Sequence, residues 1–216
     1  MTTNTKAVEV TINDESIFNP GGKPQNGFRR AELLARTEDT STDFFTGIRT
    51  LHFSIQSDAR RPLNLSHEYQ LFFTESADFS TNQIVLKTGT IIGGSAAQDA
   101  DPNILRLFGN VKDSPPTVLF ETPFTTGFHN FALQLDFDRN TVQVFFSNGQ
   151  KALQAVGVAQ ANDLSGQGEI HFGLLKKSTD TDDIVNSGFQ ESGIDEGIIY
   201  GGIFQEAGVN GCSIVS

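Results

Sequence analysis

Apolar and polar residues alternate with a period of two along most of the chain. In Ile48 to Gln56, Leu51, Phe53 and Ile55 share one side while His52, Ser54 and Gln56 take the other, the signature of a half-buried β-strand. The clearest hairpin follows from the same rule. Phe131, Leu133, Leu135 and Phe137 alternate with Asn130, Ala132, Gln134 and Asp136, the turn is Asp138-Arg139-Asn140, and the return strand carries Val142, Val144 and Phe146. Further strands are predicted over Val8–Ile12, Phe28–Leu34, His67–Phe73, Gln83–Thr90, Leu105–Gly109, Val118–Phe120, Ala152–Val158, Glu169–Leu175 and Gly197–Phe204. No stretch sustains the 3.6-residue period of a helix, and no internal repeat is present. About a dozen short strands in 216 residues predict an all-β fold, a jelly-roll or concanavalin-like β-sandwich of two antiparallel sheets, as a single domain spanning residues 1–216.

Two strands put chemistry on their non-core faces. Along the first, His67, Tyr69, Leu71 and Phe73 are expected on one side and Glu68, Gln70 and Phe72 on the other; along the second, Arg30 and Glu32 share a face with Ala31 and Leu33 behind. If both strands lie in one sheet with these faces aligned, Glu32 and Glu68 meet in a polar groove. Paired carboxylates are what cleavage of a glycosidic bond requires: one donates a proton to the leaving oxygen, and the other acts as base or nucleophile. A neighbouring cation would hold one carboxylate ionised while burial keeps the other protonated. The pattern alone leaves open that both are ordinary solvated glutamates. Arg30, Gln70, Gln83, Lys87, His171 and His52 share the non-core parity of their strands and are of the types that bond sugar hydroxyls. His67 and His129 fall with the apolar set or at a strand end and read as structural. Lys176 to Glu196 is a long acidic loop, a lid or a disordered tip. Sugar-stacking aromatics are scarce: the chain has no Trp and only two Tyr, though Phe72 and Phe145 have suitable parity.

Charge and motif content narrow the classes. A formal net charge of −11 without a basic run argues against nucleic acid or an anionic membrane as partner. No window approaches the roughly 20 apolar residues of a membrane-spanning helix, and the N-terminus has no apolar signal-peptide core. The four histidines lack zinc-site spacing, and neither a nucleophile elbow nor a phosphate loop occurs. Asp99-Ala-Asp101 and Asp180-Thr-Asp-Asp183 are acidic enough for calcium but are more often solvated loops, so no metal and no cofactor are expected. Cys212 is the only cysteine, which excludes an internal disulfide, and Asn64-Leu-Ser66 is the single N-glycosylation sequon.

Several separated blocks carry a family resemblance. Gly27-Phe-Arg-Arg-Ala-Glu-Leu33, Leu51-His-Phe-Ser54, Ser66-His-Glu-Tyr-Gln-Leu71, Phe79-Ser-Thr-Asn-Gln-Ile-Val-Leu-Lys-Thr-Gly-Thr90, His129-Asn-Phe-Ala-Leu133, Ser165-Gly-Gln-Gly168, His171-Phe-Gly-Leu-Leu-Lys-Lys177 and Gln190-Glu-Ser-Gly-Ile-Asp-Glu-Gly-Ile-Ile-Tyr-Gly-Gly-Ile-Phe204 together resemble fungal glycoside hydrolase family 131 from about Val8 to Cys212. The resemblance implies a secreted, extracellular jelly-roll β-glucanase acting on β-1,3, β-1,6 and β-1,4 glucans, with two glutamates in a cleft on one sheet matching Glu32 and Glu68. Arg30, Gln70, Gln83, Lys87 and His171 would then position the sugar, and a monomer is expected. Family members generally begin with a signal peptide and a segment bearing a cysteine. This chain starts at a strand, so an N-terminal truncation and an unpaired Cys212 are expected. Two other readings share the fold: a non-catalytic glycan-binding module, and a polysaccharide lyase acting on uronates.

Overall fold

The structure, a computed structural model, describes residues 6–35, 42–93, 101–166 and 168–208. Its strands are β1 (Val8–Asn13), β2 (Phe28–Ala35), β3 (Ile48–Ser57), β4 (Glu68–Ser76), β5 (Asn82–Gly89), β6 (Ile104–Phe108), β7 (Val118–Pro123), β8 (His129–Asp136), β9 (Thr141–Asn148), β10 (Gln154–Ala161), β11 (Gly168–Lys177) and β12 (Asp195–Ala207). They form two six-stranded sheets, ordered β1-β12-β3-β8-β9-β10 and β2-β11-β4-β5-β6-β7, with antiparallel pairing between neighbours. This is the all-β jelly-roll sandwich that the alternation predicts. Cys212 and most of the segment around Asp99 lie outside the described residues.

Inward-facing side chains of both sheets make one apolar core. Its centre is aromatic. Phe53 on β3 lies against Phe131 on β8 at 5.1 Å between ring centroids, and across the sandwich against Phe72 at 4.6 Å and Phe172 at 5.6 Å. Such offset and edge-on pairs add directional preference to simple burial and help fix how the sheets align.

One strand breaks the alternation. Against β5, Gln70 pairs with Lys87 and Phe72 with Leu86, so Leu71 is an extra residue, a β-bulge. Leu71 and Phe72 both enter the core, which pushes Phe73 outward and corrects the expected facing of Phe72 and Phe73. Beyond the bulge Thr74 is buried and Glu75 turns outward. A hydroxyl from the opposite sheet closes this gap in the ladder. Tyr200 on β12 crosses the core, and its O–H lies 2.5 Å from the Leu71 carbonyl and 2.6 Å from the Gly173 carbonyl. Burial raises the Tyr200 pKa well above its usual value, so the group stays a donor.

The long segment after β11 is neither a lid nor a loose tip. Thr179 and Phe189 pair as an isolated bridge, the Val185 carbonyl accepts from the Gly27 N–H at 2.9 Å, and Glu191 and Glu196 receive the fully buried Lys176 ammonium at 2.5 and 2.7 Å. Glu191 also meets His67 at 2.9 Å, and the other His67 ring nitrogen lies 2.7 Å from the Lys177 carbonyl, so this histidine is structural. Asp183 caps its own turn through Asn186. Replacing Tyr200 with Phe strips the shared donor from two buried carbonyls. We expect a loss of about 1–3 kcal/mol in unfolding free energy, read as a lowered urea midpoint with an unchanged m-value.

Candidate active site

In the second sheet β11 lies between β2 and β4, so these three strands present their outward side chains side by side. β2 and β11 keep strict alternation and register: Glu32 pairs with Gly173, and Leu34 pairs with His171. The Glu32 carboxylate reaches along β11 to His171, its Oε2 lying 3.1 Å from the imidazole Nδ1. Gly173 makes this path free, because a Cβ there would stand 2.4 Å from Glu32 Cγ and from the Ala31 carbonyl. Arg30, on the same face of β2, donates to the same Oε2 at 2.5 Å. The second oxygen, Oε1, is buried and has no hydrogen-bond partner.

His171 is held flat against Phe73, with ring centroids 4.1 Å apart and planes 13° apart. Only the bulge puts Phe73 on this face. The far ring nitrogen, Nε2, faces two more carboxylates, Glu75 on β4 at 3.7 Å and Glu169 on β11 at 3.5 Å. One imidazole therefore stands between Glu32 and Glu75, one ring nitrogen 3.1 Å from the first carboxylate and the other 3.7 Å from the second.

The surroundings drive the two carboxyls apart in acidity. Burial opposes ionisation of Glu32, but the hydrogen bonds from His171 and Arg30 outweigh it and hold the group below its ordinary 4.5. Glu75 lacks such partners; burial raises it above 4.5, and the charges of Glu169 and Glu32 add to the rise against the pull of His171 and Arg30. Two neighbouring carboxyls pushed in opposite directions are the arrangement expected of a base and an acid.

Glu68 belongs to a different cluster. Its position on β4 is level with Lys177 on β11, four residues beyond Gly173, so it lies roughly 13 Å along the strand from Glu32 at about 3.3 Å per residue. Its carboxylate is fully buried between Lys177 at 2.6 Å and Lys87 at 2.9 Å, and it accepts the Ile92 N–H at 2.8 Å. Burial alone would raise its pKa; the two ammonium groups overcome this and lower it. Gln70 sits between the clusters, its side-chain oxygen accepting from Asn82 at 3.3 Å. Gln83 stands apart: it is the extra residue of a second irregularity, where Thr74 pairs with Ile84 and Glu75 with Asn82, and its amide donates to the Ser165 and Gly166 carbonyls at 2.6 and 3.1 Å.

The structure thus gathers Arg30, Glu32 and His171, sets Glu68 and Lys87 in a neighbouring ion cluster, and leaves Gln83 holding a loop. His52 is on the other sheet, stacked on Phe204 at 4.3 Å and 3.0 Å from Glu206. His129 faces the Pro123 and Gly127 carbonyls at 3.0 and 3.2 Å, and Phe145 pairs within the sheet that lacks the carboxylate cluster. Glu75 escaped the sequence reading because the strand was expected to end at Phe73, whereas β4 runs on to Ser76 and the bulge at Leu71 turns Glu75 outward. No group of metal-ligating side chains occurs among the described residues.

A jelly-roll sandwich with two carboxyls close together on one sheet face carries the residue types that glycosidic-bond cleavage uses. The model of the glycoside hydrolase 131 catalytic N-terminal domain matches residues 1–211, and the chain belongs to that family and is a glycoside hydrolase. Among solved structures, a GH131 β-glucanase catalytic domain from Podospora anserina is similar with a TM-score of 0.71 and 20% identity, over 97% of this chain and 75% of that one. The catalytic domain of a family 131 protein from Coprinopsis cinerea is similar with a TM-score of 0.67 and 22% identity, over 94% of this chain and 70% of that one. Both share the fold. Comparison with curated proteins gave no match.

Replacing Glu68 with Gln leaves two nearly buried ammonium groups facing each other. We expect a loss of about 3–5 kcal/mol in stability, measured by denaturant unfolding at neutral pH. Because Glu32 and Glu68 have lowered pKa values in the fold, the stability they contribute is present above 4.5 and fades as pH falls through their folded values. Glu75 has the opposite sign: its ionisation weakens the fold as pH rises through its raised value.

Proposed function

We propose that the protein hydrolyses β-glucan, across β-1,3, β-1,6 and β-1,4 linkages, by single displacement with inversion, Glu32 acting as general base and Glu75 as general acid. The observation that carries this reading is a Glu32 whose acidity Arg30 and His171 strengthen beside a Glu75 whose acidity burial weakens. A water activated by the Glu32 carboxylate attacks the anomeric carbon, giving its proton to Glu32. The bond from that carbon to the glycosidic oxygen breaks on the opposite face, and Glu75 protonates the departing oxygen. Arg30 and His171 keep both the charge and the aim of Glu32, while the imidazole fixes the gap between the carboxyls. Glucan as the substrate class is supported by family membership and by the β-glucanase name of the Podospora protein. Family membership likewise supports an extracellular place of work. We take the acting unit to be a monomer, which light scattering of the purified protein tests.

The assignment departs from the pair expected from strand parity, and replacements separate the two. Glu75→Gln is expected to fold normally and lose about 10²- to 10⁴-fold in release of reducing sugar, yet to keep activity on a glucosyl fluoride, whose leaving group needs no proton. Glu32→Gln is expected to lose activity on both substrates. Glu68→Gln, assayed where it remains folded, is expected to keep most of its kcat; its complete inactivation would return Glu68 to the mechanism and remove Glu75. The profile of kcat/KM against pH should be a bell, with an acid limb below 4.5 as Glu32 protonates and an alkaline limb above 4.5 as Glu75 loses its proton. A proton NMR time course should show the α-anomer appearing first; initial release of the β-anomer would refute inversion.

A further inference from the structure

We infer that Phe18 is a stacking platform for a pyranose ring, a sugar subsite just outside the catalytic cluster on the open flank of β2. The inference rests on the reading above in taking a polymer of sugars as the ligand, and it deepens that reading by naming where the polymer is gripped. Phe18 is 48% exposed, although its backbone is not free. Its carbonyl accepts the Gln25 N–H at 2.9 Å, and two residues earlier the Ser16 carbonyl accepts the Arg30 N–H at 2.7 Å, tying the segment to β2. Upstream, the Asp14 carboxylate accepts the Gly193 and Ile194 N–H groups at 2.8 and 2.9 Å. The ring thus stands half in water on a segment whose backbone is fixed against β2.

Its neighbour gives it direction. The Arg30 guanidinium carbon stands 5.0 Å from the Phe18 ring centroid, while the same guanidinium binds Glu32. The ring is therefore one side chain removed from the carboxylate proposed to activate water. β2 is the edge strand of its sheet, with β11 and then β4 behind it. A sugar chain crossing the strands from Glu75, over His171, to Glu32 runs off the sheet at β2 and meets the Phe18 ring next. The C–H face of a pyranose packs on an aromatic face as other apolar groups do, and loss of the ring is expected to weaken binding by about two- to tenfold. The chain has no Trp to fill this role, and two further rings on that face, Phe73 and Phe108, are buried.

Two measurements test the subsite. The first is the Kd of a long β-gluco-oligosaccharide by calorimetry in the Glu32→Gln background, which needs no catalysis and so remains readable even if the assigned acid and base are wrong. Adding Phe18→Ala should weaken binding about two- to tenfold, Phe18→Trp should restore or tighten it, and the affinity of a disaccharide should not change. The second is steady-state kinetics of Phe18→Ala in the otherwise native protein, where KM for long oligosaccharides should rise by the same factor while kcat stays within about twofold. Unchanged Kd for the long ligand overturns the proposal. So does an equal fall in kcat on long and short substrates, since that outcome means that Phe18 acts only by holding Arg30 against Glu32. An unchanged thermal midpoint in Phe18→Ala confirms that the readout is binding rather than folding.

Discussion

The single extra residue in β4 is the constraint on which the catalytic face depends. Without the bulge at Leu71, strict alternation would send Phe73 and Glu75 into the core and Phe72 into water, which neither a buried carboxyl nor an exposed ring favours. With it, β4 contributes two consecutive inward residues, Leu71 and Phe72, and then delivers Phe73 as the flat support for His171 and Glu75 as the partner of its far nitrogen. The irregularity requires a donor where the ladder is interrupted, and Tyr200 supplies it from the other sheet. A side chain buried in the middle of the sandwich, with no contact to substrate, is in this way part of what holds the site.

The face that results has two electrostatic regimes. Around His171, three carboxylates from β2, β4 and β11 converge on one imidazole, and one of them also meets a guanidinium, so acidic groups outnumber basic ones. Around Glu68, two ammonium groups enclose one carboxylate, so positive charge is in excess. The first arrangement leaves an oxygen of Glu32 without a partner, and the second leaves Glu68 tied by ion pairs and a backbone N–H. Similar residue types do different work because one set is left incomplete by the protein and the other is closed.

Much of this was legible in the sequence, and the limits have physical causes. The sandwich follows from clean alternation in β3, β8 and β9, where apolar residues keep one parity from end to end. Arg30, Glu32 and His171 were grouped correctly because β2 and β11 are unbroken and parity counting holds along them. Counting failed on β4 after Leu71 for Phe72 and Phe73, Glu75 lay past the expected end of that strand, and on β5 at Gln83 an extra residue turns an outward amide into a loop anchor. Glu68 was placed on the right face, but face says nothing of how far along a strand two residues lie or of which lysines close over one of them. Phe18 lies in a stretch with no periodicity, where pattern carries no information. The acidic segment after β11 looks loose in sequence because nothing there shows that Lys176 is buried and pairs with both Glu191 and Glu196.

The ion cluster at Glu68 bears on how such a domain can change over evolutionary time. Glu68, Lys87 and Lys177 come from three different strands, and each is tolerable in its low-dielectric surroundings only because the others are present. A drift in any one of them leaves a stranded charge, so the three positions are expected to be inherited as a block: kept together, or exchanged together for an uncharged set. Among relatives they should therefore covary even where the flanking strands have diverged.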